Sequence, residues 1–213
     1  AGEADRVSSR YSTPLLCKGR LRVSDSREIV RYVDATYGDA QLFAPSEAEA
    51  LDREYAVRLG PHTRRIVYWF GLGQPGMLFA LARDNVPRSQ ALLFRASYPL
   101  GRRFLGRALA VNEEGYRASL EKVARVADEV AERLADGRPY LCGERFSVAD
   151  LGFASMMAPA VLPPEYGAEL PSPDALAPEA QAIVRRYRAH PAGAFALRMF
   201  REHRPPRAGG RAA

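Results

Sequence analysis

Phe146-Ser147-Val148-Ala149-Asp150-Leu151 is the stretch on which the fold turns. Ser147 can cap a helix start, and Asp150, three residues on, can reach back to the Ser147 N–H. Phe146 and Leu151 stand where a hydrophobic staple would close over that turn. The run from Leu151 to Leu162 is the most apolar in the chain and is interrupted by Pro159. It falls well short of the ~20 apolar residues that span a bilayer, so it reads as a buried, central helix. Upstream, Leu120, Val123, Ala127, Val130 and Leu134 form the stripe of a long helix over about 113–135, which Gly137 ends. Glu121–Arg125 and Glu129–Arg133 are spaced as i,i+4 ion pairs on it. Downstream, a Pro-rich loop over 162–178 leads to a helix opened by Pro178 and carrying Ile183, Val184 and Tyr187. Pro191 breaks that helix, and Phe195, Met199 and Phe200 continue the packing.

Toward the N-terminus the helical pattern continues back to Ser46, which with Glu49 has capping-box spacing. Leu51, Tyr55 and Leu59 share a face; Gly60-Pro61 interrupts it and Pro61 restarts a helix carrying Ile66, Trp69 and Phe70. Pro75, Pro87 and Pro99 punctuate the less regular stretch over 71–99. Before Ser46 the period changes. Ser12–Cys17 and Leu21–Val23 read as two short strands joined by a turn at Lys18-Gly19-Arg20. Ile29, Val30, Tyr32 and Val33 then lie on one face of a helix capped by Asp25 or Ser26 and closed by Gly38. The expected organisation is 1–38 as an incomplete α/β unit, 39–46 as linker, 47–204 as a helical domain and 205–213 as a tail disordered by composition.

The 213 residues can bury a sizeable core, and 47% hydrophobic with 26% charged residues is the profile of a globular protein. Two cysteines, Cys17 and Cys142, far apart and outside any C-x-x-C pair, exclude a disulfide framework and a zinc ribbon. No metal site is expected. The basic residues are 29 arginines and two lysines against 25 acids, for a net charge of +6. Eight arginines lie between Arg185 and Ala213 with Glu202 as the one acid. That could serve a nucleic acid, but with no RNP motif, zinc finger or aromatic-basic interleaving, coding bias toward arginine is the plainer reading. No membrane partner is expected, and a cytoplasmic setting is, with an upstream targeting peptide left open.

Thr13-Pro14-Leu15-Leu16, followed by Val23-Ser24-Asp25-Ser26-Arg27-Glu28-Ile29-Val30-Arg31-Tyr32-Val33, resembles the second half of the thioredoxin-like domain of the glutathione transferases. Pro14 matches that family's cis-proline, and Asp25-Ser26 its acid–serine pair. Arg138 to Leu151 is similar to the capping-box and staple signature of the family's all-helical C-terminal domain. The resemblance implies a mainly α protein: a C-terminal helical bundle preceded by a partial thioredoxin-like unit of hairpin and helix. It also implies that the family's first strand, first helix and second strand would precede Ser12. The catalytic Ser, Cys or Tyr belongs to that part, so no catalytic residue is assigned here. Cys17, after the proline, reads as a buried strand cysteine rather than a nucleophile.

By the same resemblance Thr13, Pro14, Asp25 and Ser26 would hold glutathione, the co-substrate, while Tyr55, Arg58, His62, Tyr68 and Trp69 would line a pocket for a small electrophile. The physics agrees at the first site, since free N–H groups at a helix start suit a carboxylate and a residue before proline is held extended. For Asp25-Ser26 plain N-capping is the alternative, for Tyr55 and Trp69 a place in the core, and for His62 a surface or capping role. Ser147 and Asp150 are structural. The implied function is conjugation of glutathione to an electrophile, or its reduction, in a homodimer. The alternatives are a non-catalytic module of the same fold and an Arg-rich nucleic-acid binder.

Overall fold

The computed structural model describes residues 14–38 and 41–204. The expectations for Thr13, the lead-in, the start of the linker and the tail lie outside the described residues. Strands β1 (Leu15–Lys18) and β2 (Leu21–Ser24) form an antiparallel hairpin in which Leu15 pairs with Ser24 and Lys18 with Leu21. The turn is therefore two residues, one shorter than expected, and Gly19 at φ +58° supplies the left-handed position that such a tight turn demands. Helix α1 (Ser26–Tyr37) follows, its start capped by Asp25, whose Oδ1 accepts from the Arg27 N–H at 2.9 Å.

This N-terminal unit is thin. No residue of α1 is buried, and Leu15, Val33 and Tyr37 are exposed. Cys17 is exposed as well, correcting its reading as buried. The cause is physical: among the described residues a two-stranded ribbon with one helix has no further layer to cover its sides.

The helical body comprises α2 (Ala48–Arg58), α3 (Gly60–Gly71), α4 (Pro75–Asn85), α5 (Arg88–Ala108), α6 (Glu113–Leu134), α7 (Val148–Val161), α8 (Pro178–Ala189) and α9 (Pro191–His203). Helix α7 is its axis. Phe153, Met157 and Val161 are buried on it with five of its alanine and valine neighbours, and it packs against α2, α3, α8 and α9. A helix apolar all round must be enclosed, as the stretch from Leu151 onward indicates.

Three local readings are corrected. Ser46 and Glu49 form no box, because Glu49 is held instead by Arg31 of α1 at 2.7 Å and Arg53 at 2.5 Å, and α2 starts at Ala48 without a side-chain cap. Pro99 does not interrupt α5 but lies inside it. Glu129 and Arg133 do not pair with each other: Glu129 takes Arg58 at 2.6 Å, and Arg133 takes Glu47 at 3.2 Å and the Leu141 carbonyl at 2.8 Å. An i,i+4 pair is worth only ~0.2–0.5 kcal/mol, so contacts between elements readily displace it.

Candidate functional site

Pairing of Leu15 with Ser24 puts Pro14, at the head of β1, at the same end of the hairpin as Asp25-Ser26 at the start of α1. Pro14, Asp25 and Ser26 are all exposed. The Asp25 carbonyl accepts from Ile29 N–H at 3.0 Å, so of the first-turn donors Arg27 and Ile29 are engaged by Asp25. The remaining first-turn donors have no acceptor within the helix itself. Asp25 has φ +76° and ψ +125°, a left-handed conformation that an aspartate adopts only at a cost of order 1–3 kcal/mol. Beside it the Ser24 hydroxyl is buried and has no hydrogen-bond partner among the described residues. An exposed carboxylate, an exposed hydroxyl and free helix-start N–H groups can take a zwitterionic ligand: its carboxylate on the N–H groups and hydroxyl, its ammonium on Asp25.

Helix α1 is held to the helical body by charge. Arg27 Nε donates to Asp52 Oδ2 of α2 at 2.5 Å, and Arg31 bonds Glu49 while lying 4.1 Å over the Phe43 ring. Asp34 accepts from the Leu42 N–H at 3.0 Å, and the Leu42 carbonyl in turn accepts from the Val148 N–H at 2.9 Å. The last turn of α1 is thus tied through the linker to the start of α7. Asp52 is almost buried, whereas Arg27 keeps 22% of its side chain exposed. Arg27→Ala is expected to cost about 2 kcal/mol in urea unfolding, because it strands the Asp52 charge; the partial exposure of Arg27 keeps this below the ~3–5 kcal/mol of a fully buried pair. Asp52→Asn added to Arg27→Ala should recover part of the loss, since no charge is then left unpaired.

The residues expected to line an electrophile pocket are not gathered around one. Tyr55 lies in the core, edge-on to Phe153 at 5.3 Å between centroids, and burial pushes its hydroxyl up to about 12. Arg58, His62 and Trp69 all face α6. Arg58 bonds Glu54 and Glu129, His62 Nδ1 lies 3.2 Å from both Ser119 Oγ and Arg65 Nη1, and Trp69 stacks on Tyr116 at 5.0 Å. They form the seam between α2–α3 and α6. Tyr68 is half-buried beside them in sequence. Burial first, then the charges of Lys122 and Arg65, lower the His62 imidazole below its ordinary value. A neutral ring protonated on Nε2 fits, because Nδ1 can then accept from Arg65.

The concavity that sequence reasoning missed lies elsewhere. A cavity of about 250 Å³ opens between α3, α4, the end of α7 and α8, walled by Ile66, Phe70, Leu78, Leu81, Pro159 and Ile183 among others. Its lining is apolar almost throughout. The Pro-rich loop over 162–178 closes one side of it, and that loop's composition was the one available signal. The cavity is at the end of α7 remote from Leu42 and α1, so it shares no wall with Asp25-Ser26.

Ser147 and Asp150 build the joint at the start of α7. The Asp150 carboxylate accepts from Leu141 N–H at 2.7 Å, Ser147 N–H at 2.8 Å and Ser147 Oγ at 2.7 Å, all buried. Phe146 does not simply cover this turn: it stacks on His203 of α9 at 3.9 Å and meets Tyr140 edge-on at 5.9 Å. The loop before α7 is thereby bound both to that helix and to the last one.

Comparison with known proteins bears on this joint. Residues 113–186, from the start of α6 into α8, match the family described as glutathione S-transferase, C-terminal domain. No curated protein and no solved structure matches the chain. The helical body around the buried, capped α7 is therefore similar, over residues 113–186, to the glutathione S-transferase C-terminal domain.

Proposed function

We propose that this chain binds glutathione at the start of α1, as the binding half of a glutathione transferase-like protein. The observation that carries the reading is the hairpin register, which places Pro14 at the same end as the exposed Asp25-Ser26 pair and the free N–H groups of α1. In this reading the γ-glutamyl carboxylate sits on Ser26 and the helix start, and its ammonium on Asp25. Thr13, outside the described residues, would by the family resemblance pair with the cysteinyl part like an added strand. Residues that ionise the thiol are not among those assigned, so the chemistry proposed for the complete protein, attack of the glutathione thiolate on a small electrophile or its reduction, draws on a further residue. A homodimer and a cytoplasmic setting belong to the same reading.

Retention on immobilised glutathione tests it. The Asp25→Ala, Ser26→Ala double variant is expected to lose most of the retention while keeping its helical circular dichroism. Two charge-assisted contacts at ~1.5–3 kcal/mol each correspond to a weakening of at least about a hundredfold. Equal retention of wild type and variant would overturn the assignment.

A further inference from the structure

Helix α5 stands apart from the rest of the body. Its inner face is pinned to α4 by an aromatic cluster, Phe79 with Tyr98 at 5.2 Å and with Phe94 at 6.0 Å, and to the end of α3 by the Tyr98 hydroxyl on the Leu72 carbonyl at 2.9 Å. No other described helix packs extensively on it. Its outer face is apolar and open: Leu92, Leu93, Leu100 and Phe104 are 70%, 69%, 77% and 70% exposed. Leu93, Leu100 and Phe104 are seven and then four residues apart, so they make one stripe along the helix. A stripe of that size left in water is unusual for a globular surface.

The charges around the stripe are of one sign. Arg103 and Arg107 lie beside Leu100, while Arg88, Arg95 and Arg102 recur every seven residues as a row on the far side of the helix from the stripe, Arg95 over the Phe79 ring at 5.6 Å. No Asp or Glu occurs between Asp84 and Glu113. Several arginines outside α5 have carboxylate partners, as Arg27, Arg31, Arg58, Arg117 and Arg138 do. Among the described residues none of the five on α5 forms an ion pair, and all five are exposed.

We infer that α5 lies on an anionic phospholipid surface, with Leu93, Leu100 and Phe104 inserted among the acyl chains and Arg103 and Arg107 beside them on the headgroup phosphates. A long amphipathic helix with an apolar stripe on one face and arginines on its polar face is the form that interfacial binding takes. No described helix is long and apolar enough to cross a membrane, so the contact is superficial. Charge selects this occupant over the others. Two copies of α5 face to face would bring together two helices that each carry five arginines and no acid. A nucleic acid would satisfy the arginines but leave the leucines and Phe104 in water.

The test is flotation of the full chain with vesicles of phosphatidylcholine alone and of phosphatidylcholine mixed with phosphatidylglycerol. Size-exclusion chromatography and binding to duplex DNA and to RNA are run alongside. Wild type is expected to float with the anionic vesicles and not with the neutral ones. Leu100→Ser with Phe104→Ser, and separately Arg103→Gln with Arg107→Gln, should each lose flotation while keeping wild-type helicity. Each arginine removed should weaken partition roughly fivefold. Three results would overturn the inference: no flotation at low salt, flotation unaffected by either set of substitutions, or a dimer that Leu100→Ser with Phe104→Ser splits in the absence of vesicle binding. Tighter binding to nucleic acid that the serine variant leaves unchanged would overturn it too, in favour of the nucleic-acid reading. Glutathione retention is independent of all four.

Discussion

Replacing Asp150 by alanine is expected to destabilise the fold by about 3–5 kcal/mol. An ordinary N-terminal cap is worth ~0.5–2 kcal/mol, but Asp150 does more than cap. Its carboxylate is the acceptor for two backbone N–H groups, of Leu141 and Ser147, and for the Ser147 hydroxyl. Leu141, Ser147 and Asp150 itself have no exposed surface. In the alanine variant the hydroxyl can turn elsewhere, but both N–H groups stay dry and unpaired, at ~1–3 kcal/mol each. The Leu141 bond also fastens the loop before α7, so the loss should appear as a lower urea midpoint with an unchanged slope.

The same carboxyl gives a pH test. Burial raises its pKa above the ordinary 3.8, against the opposing effect of the Leu141 and Ser147 donors. A raised folded value means that the folded chain binds the proton before the unfolded chain does as pH falls. Stability from this group is therefore full below the unfolded value and declines as pH rises through the folded one. Asp150→Asn does not titrate, so its deficit relative to wild type should be largest at low pH and shrink across that window. A protonated carboxyl can still accept both N–H groups and turn its own O–H to Ser147 Oγ, which is why protonation need not break the joint. A deficit that instead grew with pH would mean that the ionised form is the one the fold prefers.

How far the sequence carried differs from element to element. The start of α7 was legible because cap, acid and apolar run are local and agree with one another, as they do for α1 and for the turn at Gly19. Asp25-Ser26 was legible for the same reason. The seam against α6 was not: nothing in the spacing of Arg58, His62 and Trp69 distinguishes a pocket wall from an interface until Glu129, Ser119 and Tyr116 are placed opposite. The Glu49 cap and the Glu129–Arg133 pair failed because partners distant in sequence outcompeted local ones. The exposure of Cys17 and of the α5 stripe depends on what does not cover them, and local pattern carries no information about that. Counting the arginines likewise does not show which of them find carboxylates, as Arg27 and Arg58 do, and which do not, as on α5.

Gly193→Ala should be comparably damaging, and for a different reason. Gly193 lies in the first turn of α9, just after the corner at His190-Pro191 where α8 ends. A methyl group built on it would overlap the carbonyl oxygen and carbon of Tyr187, with Val161 Cγ1 of α7 at 3.3 Å closing the other side. A backbone carbonyl in the last turn of a helix cannot rotate away as a side chain can. Tyr187 is itself buried, and α9 is packed along α7, so neither helix can retreat without opening the core. Overpacking of this kind costs ~1–3 kcal/mol where side chains can adjust and more where they cannot, so a loss of about 3 kcal/mol or more is expected. Two further glycines isolate the cause. Gly152→Ala presses on the Asp52 carboxylate, a side chain able to swing aside, and should cost less while loosening the Arg27 pair. Gly101→Ala, in α5 with nothing within 4 Å, should stabilise slightly, by about 0.5–1 kcal/mol, through helix propensity alone. If all three variants lost the same stability, the damage would come from the alanine methyl as such, not from the carbonyl of Tyr187, and the account of the α8–α9 corner would fail.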